Sequence, residues 1–84
     1  MIPGECRKHR MEDKYVVISS LSSHRTCSYY LINQSSDAVS RFSGIDREAV
    51  RVCYPIIIEP EEFLEAYKRV LNKQIDTIQS LLNL

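Results

Sequence analysis

A chain of 84 residues, 44% hydrophobic and 26% charged, describes one globular domain and excludes a disordered, fibrous or low-complexity protein. Eleven Lys and Arg balance eleven Asp and Glu, so the formal net charge is zero and there is no global attraction to nucleic acid or to an anionic membrane. No apolar run approaches the roughly 20 residues needed to span a bilayer, and with two glycines a phosphate-cradling loop is excluded.

In chain order, residues 1–13 hold Pro3, Gly4 and the cluster Arg7, Lys8, His9 and Arg10, with almost nothing apolar. They are expected to form a flexible basic tail ahead of a single domain at 14–84. Met11 could serve as a second start, which would make residues 1–10 dispensable. Residues 14–21 and 26–32 are rich in β-branched and aromatic side chains and are expected to be two strands of a hairpin, joined by the polar turn Ser22, Ser23, His24 and Arg25. Tyr15 and Val17 alternate with Val16 and Ile18, which predicts a strand covered on both faces.

A short helix is expected over 37–43. Ser36 suits its cap, Asp37 its first turn, and Gly44 a left-handed stop. Beyond it Val50, Val52, Tyr54, Ile56 and Ile58 alternate with Arg51, Cys53, Pro55, Ile57 and Glu59, a period of two that predicts a third strand, at an edge because Pro55 cannot donate to a ladder. The competing reading is a helix-turn-helix at 36–53, similar to the two-helix DNA-binding unit. Gly44 would make its turn and Asp46 would cap its second helix, with Arg47, Glu48 and Arg51 facing a major groove. Ser40, the β-branched run and the neutral charge favour the strand.

The last stretch, from Pro60, is expected to be one long helix. Leu64, Tyr67, Leu71, Ile75, Ile78 and Leu82 recur at spacings of three and four and fall within roughly 60° of one line. Phe63, Val70 and Leu81 form a shoulder beside it. Pro60 suits the first helical position, Glu61 and Glu62 meet the positive end of the helix dipole, and Ile58 with Phe63 has the spacing of a hydrophobic staple. About 24 residues at 1.5 Å each make a rod of roughly 36 Å, longer than the roughly 30 Å diameter of a compact chain of this size. Its end should overhang, exposing Ile75, Ile78, Leu81, Leu82 and Leu84 as a partner-binding surface.

No catalytic constellation is evident. Cys27 or Cys53 with a histidine would need the fold to join them, and the serine pairs lack a glycine-flanked nucleophile turn. Cys6, His9, His24 and Cys27 have zinc-like spacing, yet an extended strand at 14–21 would hold the two pairs apart. Three cysteines, an odd number with no export signal in view, fit reduced thiols and a cytoplasmic protein. The expectation is therefore an α+β fold in which a three-stranded antiparallel sheet carries a short helix and one long C-terminal helix packed on one face. Functionally it is a small non-enzymatic adaptor or regulatory protein, without cofactor, metal or small-molecule substrate, that binds a protein partner and forms a homodimer. A DNA-binding regulator and a small zinc module are the alternatives.

Overall fold

The computed structural model describes residues 1–83. In chain order its elements are β1 (Cys6–Lys8), β2 (Lys14–Ser20), β3 (Thr26–Asn33), β4 (Ala38–Asp46), α1 (Arg47–Cys53), β5 (Ile56–Ile58) and α2 (Pro60–Leu82). The five strands form one antiparallel sheet in the order β4-β3-β2-β1-β5. The α+β class is as expected, but the three-stranded sheet is not.

Three differences produce the five strands. The stretch expected to be a loose basic tail contributes β1, which pairs with β2 on one side and β5 on the other. Cys6 and Arg7 are buried there, and the Arg7 guanidinium donates to Glu5 at 2.7 Å and to the Tyr54 carbonyl at 3.2 Å. A buried charge is tolerated when it is paired and hydrogen-bonded, and both conditions hold for Arg7.

The short helix expected at 37–43 is instead strand β4. Asp37 sits at φ 52°, a left-handed turn conformation that Asp tolerates, so it closes the β3–β4 hairpin rather than opening a helix. Gly44, at φ 65°, is no helix stop. It lies where the β3–β4 register slips, Cys27 facing Ile45 while Tyr29 faces Phe42, which leaves one extra residue on β4 as a bulge.

The strand expected near 50–58 splits in two. Asp46 accepts from the Glu48 amide at 2.8 Å and starts α1, whose one buried residue is Val50, and Pro55 separates that helix from the short β5. A side-chain cap and a good anchor outweigh the β propensity of Val50 and Val52.

The sheet is covered on both faces, as the alternation in β2 predicts. On one face Val16, Ile18, Cys27 and Tyr29 pack with Val50 and Tyr54 at the α1 side. On the other Cys6 and Ile32 pack with Phe63 and Val70 of α2, joined by Tyr15, Val17, Val39, Ile58 and Tyr67. Both coverings come from the chain itself. Complete burial of Val16, Ile18 and Ile32 contributes about 1.5 to 3 kcal/mol for each.

Candidate functional site: the exposed face of the long helix

Helix α2 begins as its sequence dictates. Pro60 occupies the first turn after Glu59, which has extended φ and ψ and makes no side-chain cap, and Glu61 and Glu62 supply the acidic first turn. Glu62 also reaches Lys8 of β1 at 3.6 Å. Phe63 is buried and Ile58 packs in the same cluster, the contact that a staple spacing anticipates. At the other end Asn83 adopts the left-handed conformation, and its amide donates to the carbonyls of Gln79 and Ser80.

The surface that α2 gives the sheet is not its most apolar line. Phe63, Ala66 and Val70 are its buried residues, with Tyr67 half-buried beside them. The line through Leu64, Leu71, Ile75, Ile78 and Leu82 is rotated from that contact by roughly 100°. Leu64 is 51% exposed, Ile75 53%, Ile78 55% and Leu82 61%. A helix with this periodicity is expected to turn the ridge toward the upstream chain; instead the sheet takes Phe63, Ala66 and Val70, leaves Leu71 half-buried, and leaves Leu64, Ile75, Ile78 and Leu82 exposed.

Support from the body of the fold also ends early. The last tethers are Gln74 Nε2 donating to the Asp37 carbonyl at 2.8 Å and Lys73 Nζ 4.0 Å from the Asp37 carboxylate. Beyond them Ile75, Ile78, Leu81 and Leu82 are exposed, Leu81 at 74%. Leu71, Gln74, Ile75, Ile78, Gln79 and Leu82 line a shallow apolar groove along this segment. Leu84, expected with the same group, lies outside the described residues. The protein is elongated, 49 × 21 × 19 Å with a radius of gyration of 14.0 Å, against about 12 Å for a compact chain of 84 residues. Sequence reasoning missed three participants here: Asp37 as the tether, and Gln74 and Gln79 as flanks of the groove.

The remaining candidates are scattered or locally engaged. Arg47 donates to the carbonyls of Thr26 and Ser23, and Arg51 pairs with Glu48 at 3.1 Å. Since residues 38–46 are a strand, the first helix of a helix-turn-helix does not exist, and α1 follows directly on a sheet edge. Cys6 and Cys27 belong to cores on opposite faces of the sheet, so they cannot share one ion. His9 Nδ1 instead accepts from the amides of Met11 and Glu12, at 3.1 and 3.0 Å, and closes the β1–β2 turn. Burial raises the thiol pKa of both cysteines. Glu5 and Glu61 add to the effect at Cys6, whereas Arg47 and Arg51 partly oppose it at Cys27. Among the described residues no helix is long and apolar enough to cross a membrane. No family model, curated protein or solved structure matches the chain.

Proposed function

We propose that the chain is a small non-enzymatic protein-binding module of the adaptor or regulatory kind, and that it associates with itself through the C-terminal half of α2. The observation that carries this reading is the run of exposed Ile75, Ile78, Leu81 and Leu82 on a helix segment that the sheet does not support. Contiguous apolar surface on a protruding element is an association surface, and small domains with limited cores gain stability by pairing. Free cysteines at 6, 27 and 53 support a reducing compartment such as the cytoplasm.

The test is the oligomeric state. Sedimentation should show a dimer for the unmutated protein, and Ile78→Asp combined with Leu82→Asp should give monomers with an unchanged far-ultraviolet strand signal. An unmutated chain that sediments as a monomer at high micromolar concentration overturns the self-association.

A further inference from the structure

The exposed ridge has a second regularity. Leu64, Lys68, Leu71, Ile75, Ile78 and Leu82 follow one another at steps of four, three, four, three and four, the 3.5-residue repeat of a coiled-coil seam. Leu64, Leu71 and Ile78 hold one core position of the heptad, and Lys68, Ile75 and Leu82 hold the other. Only Lys68 departs from the apolar pattern. From residue 72 onward the side chains that flank the seam are Asn72, Gln74, Gln79 and Leu81, none of them charged, so two identical copies meet no opposed rows of like charge there. The sheet lies roughly a quarter-turn away and leaves Leu64, Ile75, Ile78 and Leu82 exposed, with Leu71 between them half-buried.

We infer that the occupant of this ridge is the same ridge of a second copy, running antiparallel, with Leu64 of each chain level with Leu82 of the other. This rests on the self-association proposed above and adds its direction and register. Lys68 decides the direction. In a parallel pair it would face Lys68 of the second copy inside the seam, placing like charges in a layer of partial desolvation. In the antiparallel pair each Lys68 is level with Ile78 of the other copy. Beside Ile78 is a hollow lined by Ser36, Asp37, Gln74 and Thr77, whose acidic group is Asp37. The ammonium of Lys68 can run its stem over Ile78 and end near that carboxylate. The existing neighbour of Asp37, Lys73, stands off at 4.0 Å and is itself 70% exposed, so it does not close the hollow. Opposed helix dipoles favour the same direction. Full overlap also engages Leu64 and Leu71, which a contact confined to the overhang would leave partly in water.

Disulfide trapping in the full chain separates the arrangements. On a Cys53→Ser background, which removes the exposed thiol, Leu64→Cys and Leu82→Cys chains are prepared separately and mixed under mild oxidation. The expected product is the mixed 64–82 disulfide, with neither variant linking to itself, because in this register each position lies about 27 Å along the seam from its own counterpart. Self-linked Leu64→Cys and Leu82→Cys chains signal a parallel pair. That outcome, or a dimeric sample without the mixed disulfide, overturns the antiparallel register while leaving self-association intact. A monomeric unmutated chain in sedimentation overturns both.

Discussion

Single side chains in this protein are fixed by what lies behind them. Cys6, Cys27, Tyr29 and Tyr54 are all buried, and burial is the largest cause of a raised pKa at each. All four groups therefore hold their protons more tightly folded than unfolded. Their contribution to stability is complete below the unfolded values, about 8.5 for a thiol and 10 for a phenol, and is lost as the pH rises through the higher folded values. Melting temperature should accordingly fall steadily above about pH 9. Cys6→Ala combined with Cys27→Ala should flatten the lower part of that fall, although the cavities left behind lower the plateau. Melting curves from pH 7 to 11 check it, and a profile level to pH 11 would contradict the buried placement of these groups. Lys14 acts oppositely at the surface, where its hydrogen bond and charge lower the pKa of the exposed Glu12.

At the scale of elements, the hairpin and the long helix were legible because their signals are local. The β-branched runs of β2 and β3 match the observed strands to within a residue or two, and Pro60, Glu61 and Glu62 mark the start of α2. The misread elements depend on partners distant in sequence. β1 has one apolar residue in three and is held by pairing to two neighbours, which no periodicity announces. In β4 the same residues, Asp37 and Gly44, suit both a helix boundary and a hairpin turn with a bulge, and only the ladder to β3 selects between them. α1 was hidden by an alternation that continues accidentally through Pro55. The exposed candidates Ile75, Ile78, Leu81 and Leu82 were read from the overhang alone. Which face the sheet would take was not readable, since counting apolar residues favours the ridge, whereas the face it takes holds Phe63, Ala66 and Val70. The two faces should therefore respond differently to truncation in the monomer. Ile32→Ala, which opens a cavity beneath α2, should cost about 2 to 5 kcal/mol, while Ile75→Ala on a monomeric Ile78→Asp, Leu82→Asp background should cost within about 0.5 kcal/mol. Urea unfolding measures both, and equal costs would mean that the ridge is packed against the body.

The molecule as a whole is a small two-faced sheet with a lever attached. The hydrogen bond from Gln74 to Asp37 is the last side-chain tether among the described residues, and Ile75, Ile78, Leu81 and Leu82 beyond it are exposed in a molecule 49 Å long. A segment of about eight residues continues a helix nucleated by the packed part of α2, but its propagation is close to neutral in water without tertiary packing, and Asn83 caps its end. A solitary molecule should thus let the tip unwind and rewind, with the backbone amides beyond Gln74 trading hydrogen for deuterium almost as freely as an open coil. Pairing would supply the missing wall. Dilution should then lower the helical signal at 222 nm as well as the mass of the particle, so that winding of the tip and formation of the pair become one concentration-dependent equilibrium.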